Sequence, residues 1–259
     1  MTLNDEGVAL AGRGETSAAE EKFREALEAN PGFGEAARNL AKILVADGSF
    51  GEAETVLANA AEAAGGVVDL LVPLAQVEAL IGNESLFGEV LAELEKKVET
   101  SETLSSLSAL LLSQGSVAAA KKAASAATAR PDAGAEEWLT LGLAEERAGS
   151  WGDAKGAYEK CIALDAKSFR GWIGLGNAQD NTGDWQNAVE SYEKAIALEP
   201  ASPLAQYNLG RLLALRTPNI DRGVDLLVTA ANGTGGDPAD ERARKEAKRL
   251  LQHILAGAK

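Results

Sequence analysis

Two groups of polar residues in this sequence carry side chains suited to gripping a peptide. One is Arg38, Asn39 and Lys42; the other is Asn177 with Asn208 and Arg211, joined by Arg170. Asn carries both a donor and an acceptor and can pair with a backbone amide, while Arg or Lys can hold a carboxylate. Both groups stand in a chain of net charge −14. An acidic or carboxylate-ended ligand would therefore be drawn mainly to them.

The residue types that carry catalysis are sparse. The single His253 leaves no His-based triad or multi-His metal site within one chain. The single Cys161 cannot form an internal disulfide and falls where small apolar residues recur, so it reads as a buried thiol. Glu20-Glu21, Glu136-Glu137 and Glu145-Glu146 are adjacent pairs. Neighbours on a helix point about 100° apart, so these read as solvated charges rather than acid–base couples. Gly174-Leu175-Gly176 lacks a third glycine and has no strand before it, so it fails as a phosphate loop. The sequence predicts a non-enzyme with no cofactor and no metal.

Composition narrows the partners. With 39 acidic against 25 basic residues, the field has the wrong sign for a phosphate backbone or an anionic membrane. No run of about 18 apolar residues is present to span a bilayer. The acidic start Met1-Thr2-Leu3-Asn4-Asp5-Glu6 lacks the basic, then apolar, pattern of a signal peptide, so a cytoplasmic location is expected. The Asn-x-Ser/Thr triplets at Asn83 and Asn232 then carry no glycan.

The elements that must position these residues repeat. Gly14, Gly48, Gly82, Gly115, Gly149 and Gly183 are separated by 34, 34, 33, 34 and 34 residues. Each lies between two helix-like segments, where a positive φ would end one helix before the next. After four of these glycines, small and bulky residues alternate in steps of four and three: Ala19, Phe23 and Ala26; Ala53, Leu57 and Ala60; Ala154, Tyr158 and Cys161; Ala188, Tyr192 and Ala195. That spacing keeps them on one helical face. Before the last five of these glycines a Leu precedes a small residue, as in Leu40-Ala41, Leu141-Gly142 and Leu175-Gly176. Phe50, Trp151 and Trp185 open the segments after their turns and read as repeat packing.

These columns resemble the tetratricopeptide-repeat signature, most closely at Trp138…Leu141-Gly142…Ala154…Tyr158 and Trp172…Leu175-Gly176…Ala188…Tyr192…Ala195…Pro200. The resemblance implies an all-α, right-handed solenoid of about seven helix-turn-helix repeats. They would span residues 1–33, 34–67, 68–100, 101–134, 135–168, 169–202 and 203–238, with a capping helix over 239–259. The third and fourth are degenerate: Phe87 and Leu94 fill slots that want small residues, and Ala124 fills the bulky one. The seventh carries one inserted residue near Thr217-Pro218-Asn219.

In this family the first helix of each pair lines a concave groove. The resemblance thus assigns Arg38, Asn39, Lys42, Val72, Gln76, Leu139, Leu143, Arg170, Asn177, Tyr207, Asn208 and Arg211 to a partner-binding surface, with Val72, Leu139 and Leu143 as an apolar floor. Ile173 and Gly174 stand where a carboxylate clamp of the family would want polar residues. The expected function is a scaffold or adaptor that binds a protein or peptide, with no nucleic acid and no membrane insertion. The alternatives are a self-assembling protein, joined to other copies through its uncapped first repeat, and the repeat arm of a larger enzyme or chaperone system.

Overall fold

A computed structural model of the chain describes residues 2–234 and 236–257. They form fifteen α-helices, and no strand occurs among the described residues. The chain divides into two compact units, Met1–Asp132 and Ala133–Lys259. The first holds α1 (Leu3–Gly12), α2 (Thr16–Ala29), α3 (Gly34–Ala46), α4 (Phe50–Ala63), α5 (Val68–Ile81), α6 (Glu84–Lys97), α7 (Ser101–Ser113) and α8 (Val117–Thr128). The second holds α9 (Ala135–Arg147), α10 (Trp151–Leu164), α11 (Phe169–Asn181), α12 (Trp185–Leu198), α13 (Pro203–Arg216), α14 (Ile220–Asn232) and α15 (Pro238–Gly257). Within each unit an odd-numbered helix packs on the even-numbered helix that follows it.

The periodic glycines make the hairpins. Gly14, Gly48, Gly82, Gly115, Gly149 and Gly183 all take φ between 75° and 83°, and no other residue type among those described has positive φ. A side chain there would cost about 1–2 kcal/mol. Beyond each glycine the next amide reaches back to a carbonyl near the helix end, as Ser49 N–H does to Leu44 O at 2.8 Å and Asp184 N–H to Gln179 O at 2.8 Å. These bonds satisfy carbonyls that the helix end leaves open. The turn after α13 lacks such a glycine. There Thr217 is extended at φ −130°, which accommodates the extra residue.

The small columns exist so that large rings can approach backbone. A methyl group at Gly142 would lie 2.5 Å from Cε1 of Tyr158, and one at Gly176 would lie 2.5 Å from Cε1 of Tyr192. Both rings are fully buried. The Gly174-Leu175-Gly176 segment is therefore helix interior packed on tyrosines. In the third pair Phe87, Leu91 and Leu94 are all buried, so larger side chains fill the core where other pairs use alanine. The last helix, α15, lays Ala247, Leu250, Leu251 and Ile254 against Leu227, Ala230 and Ala231. Asp240 fastens its start by accepting from Leu204 N–H at 3.1 Å and from the Ser202 hydroxyl at 3.2 Å.

Candidate functional site

In the first unit, α3 and α5 present neighbouring faces that enclose a groove of about 580 Å³. Its walls are Val45, Val68, Val72, Pro73 and Val77, with Leu57 of α4 beneath and Thr103 of α7 at one end. Lys42 and Val45 are one turn apart on α3, as are Val68 and Val72 on α5, so each helix puts a short stripe on the same surface. Four sequence-assigned residues, Arg38, Lys42, Val72 and Gln76, come together here.

The polar side chains of this surface differ in what they have left to offer. Arg38 donates to Asp69 Oδ2 at 3.0 Å, and Asp69 is well exposed. An exposed pair of this kind holds weakly and can exchange for a ligand. Asn39 donates to Asn4 Oδ1 at 3.2 Å, and Asn4 in turn donates to Glu35 at 3.4 Å. Asn39 is thereby turned toward α1 and away from the groove's lining. Lys42 is exposed and forms no ion pair among the described residues. It is the cation at this groove that is ready for an acidic partner.

The second polar group is built differently. Asn177 accepts from the Tyr192 hydroxyl at 2.9 Å and from Asn208 Nδ2 at 3.4 Å, and donates to Glu146 at 3.4 Å. Glu146 also accepts from the Tyr158 hydroxyl at 2.7 Å. Burial, and then the charge of Glu146, pushes the Tyr158 hydroxyl well above its ordinary pKa and keeps it a donor. Arg211 donates to Asp180 Oδ2 at 2.6 Å. These residues of α9, α11 and α13 satisfy one another, so Asn177, Asn208 and Arg211, assigned from the sequence to a binding surface, form a hydrogen-bonded part of the fold. Arg170 is exposed at the start of α11 and does not join them.

Repeat profiles decide the family. Those described as tetratricopeptide repeat match residues 10–71 and 135–178, and one described as TPR repeat matches 181–215, together more than half of the chain. The chain belongs to the tetratricopeptide-repeat family. Its fold is the all-α repeat solenoid of that family.

Solved structures resemble it at low identity. A repeat protein from Parabacteroides merdae is 14% identical with a TM-score of 0.50, and the match covers 95% of this chain and 97% of that one. Human IFIT1, solved as a dimer with PPP-AAAA, is 14% identical with a TM-score of 0.54, covering 93% of this chain and 61% of that one. The Yersinia enterocolitica secretion chaperone SycD, solved with a peptide of the translocator YopD, is 18% identical with a TM-score of 0.44, covering 48% of this chain and 94% of that one. A comparison with curated proteins finds no sequence relative.

Several sequence expectations for this tetratricopeptide-repeat chain need correction. Leu139 is buried in the core with Tyr158 and Leu175, because it lies on the inner side of α9, so it is no floor of a groove. Leu143, one turn on, is exposed. Tyr207 is half-buried against the capping helix α15. The carboxylate pairs are not uniformly solvated. Glu137 is buried and accepts from Gly134 N–H at 2.8 Å, closing the start of α9, and Glu145 is buried beside the engaged Glu146. Trp185 is 40% exposed with the Arg216 guanidinium 5.7 Å above its ring, so it forms a surface cation–π pair in place of core packing.

Cys161 is buried in its alanine slot, and burial pushes its thiol upward. His253 is exposed on α15. Among the described residues no group of three metal-ligating side chains occurs, and no helix is long and apolar enough to cross a membrane. Sequence reasoning missed Val45, Val68 and Val77. The three-residue step from Lys42 to Val45 was the available signal.

Proposed function

We propose that this chain is a non-catalytic protein-interaction module, and that it holds an apolar segment of a partner protein along α3 and α5. The observation that carries this reading is the valine-lined groove with Lys42, which forms no ion pair among the described residues, at its edge. An apolar anchor entering it would bury area worth about 25 cal/mol per Å², and Lys42 would meet a carboxylate of the same segment. The net charge of −14 supports a protein partner over a nucleic acid, since little positive field is available to hold phosphates.

The reading favours the first unit over the second. In the second unit the equivalent polar residues would have to abandon Asp180, Glu146 and Tyr192 before they could hold anything else. A photo-crosslinking residue at Val72 should give adducts with a partner segment in cell extract, and the same residue at Val228, which is exposed on α14, should not. Adducts at Val228 with none at Val72 would defeat the proposal.

A further inference from the structure

Glu78 sits in α5 with no cation set against its charge among the described residues, and only Asn83 weakly favours its charged form. The same place in the helix is held by Leu44 in α3, Leu111 in α7 and Leu213 in α13, all buried. A leucine therefore suits this position, and packing alone does not call for an acid. Two other polar residues stand in the column: Gln179 accepts from the buried Ser191 hydroxyl at 2.6 Å, and Glu145 of α9 is a second buried acid, itself engaged within the fold. Glu78 has zero exposure, and among the described residues neither of its carboxylate oxygens has a hydrogen-bond partner of good geometry. Burial, with Glu54 of α4 adding to it and Asn83 weakly opposing it, pushes this acid up to about 7.

Glu78 forms part of the wall of a pocket of about 340 Å³ at the C-terminal end of α5. Asn83, Glu84 and Phe87 of the α5–α6 corner face Ser116 and Lys122 across it. The charges around it are Glu78 and Glu84 against Lys122, which sits on Glu84 at 3.4 Å with both side chains well exposed. The carbonyl end of α5 adds negative potential. The first turns of α6 and α8 act in the opposite sense, and Glu84 already answers the first of these. No cluster of three metal ligands occurs among the described residues, so a bare metal ion finds no coordination shell. A cation that brings its own N–H donors needs only acceptors. The Ser116 hydroxyl, which donates to Ala79 O at 3.3 Å, has lone pairs free to supply one.

We infer that this pocket is a binding site for an organic cation of side-chain size, a primary ammonium or guanidinium, held by the Glu78 carboxylate. Entry parts Lys122 from Glu84, an exposed pair that exchanges readily, and must also turn the Glu78 carboxylate out into the pocket, since it has no exposure without the ligand. The site shares no lining residue with the groove at Lys42 and Val72, so the two readings stand or fall separately.

Thermal unfolding of the whole chain tests the site, with agmatine, N-acetyl-arginine amide and tetramethylammonium chloride at equal ionic strength. Agmatine should raise the melting temperature at pH 8, raise it less at pH 5 where a proton occupies the carboxylate, and leave Glu78→Leu unmoved. That variant carries the residue found at positions 44, 111 and 213, so it folds. Lys122→Ala, which removes the internal competitor, should bind agmatine at least as tightly. A comparable response to N-acetyl-arginine amide identifies the ligand as a partner's side chain, and a response to agmatine alone identifies a free amine. An equal response to tetramethylammonium, an equal response in Glu78→Leu, or no response to agmatine overturns the inference.

Discussion

The Arg211 guanidinium closes on Asp180 at 2.6 Å, from α13 back to α11, and the Asp180 side chain is only 7% exposed. Arg211→Ala would leave that carboxylate buried without its counter-charge. Breaking a buried pair costs about 3–5 kcal/mol, and the partial exposure of Arg211 reduces this to roughly 2 kcal/mol. Urea denaturation should therefore register the loss as a lower midpoint for the second unit. Partner binding in the α3–α5 groove should be unchanged.

Glu78 gives the stability a pH dependence of definite sign. Its folded pKa of about 7 lies above the ordinary 4.5, so the folded state holds the proton more tightly. The contribution is full below about pH 4.5, falls as pH rises toward 7, and is flat above; it amounts to about 3 kcal/mol. The difference between wild type and Glu78→Leu, measured by denaturant unfolding at pH 5 and pH 8, isolates it. Glu78→Leu should be the more stable at pH 8, with most of that advantage gone at pH 5. A constant difference across that range would place the proton elsewhere.

Gly176→Ala tests the close approach of Tyr192. The added methyl would stand 2.5 Å from Cε1 of a fully buried ring, so the helix must shift or the ring must leave its rotamer. Overpacking of this kind costs about 1–3 kcal/mol, against less than about 1 kcal/mol gained from better helix propensity. Calorimetry should find a lower melting temperature for Gly176→Ala than for Gly152→Ala, a helical glycine with nothing near its missing methyl.

What the sequence made legible follows from which constraints are local. The six periodic glycines were readable because a positive φ is a property of one residue and its neighbours, and all six take it. The Tyr158 and Tyr192 columns were readable because a ring and the small residue it needs recur at one period. The pairing of Arg211 with Asp180 was not readable: it joins residues 31 positions apart, and a sequence does not say whether an arginine on a groove face points to a ligand or to the preceding repeat. Leu139 was misplaced for a related reason, since Leu139 and Leu143 are one turn apart on α9 and only packing decides which is covered. Glu78 passed unnoticed because acids are common on helices. Its significance appears only beside the buried leucines at positions 44 and 111.

The claim that α3 and α5 form the partner groove is tested most directly by calorimetric titration. The ligand is a peptide selected from a display library against the whole chain, titrated into wild type, Val72→Asp, Lys42→Ala and Arg211→Ala. The peptide should carry an apolar anchor beside an acidic residue. Val72→Asp should abolish binding, because it places a charge in the apolar wall. Lys42→Ala should weaken binding about tenfold, an effect that shrinks at high salt, and Arg211→Ala should leave it unchanged. A peptide that binds Val72→Asp and Lys42→Ala as it binds wild type, and loses affinity for Arg211→Ala, would contradict the account.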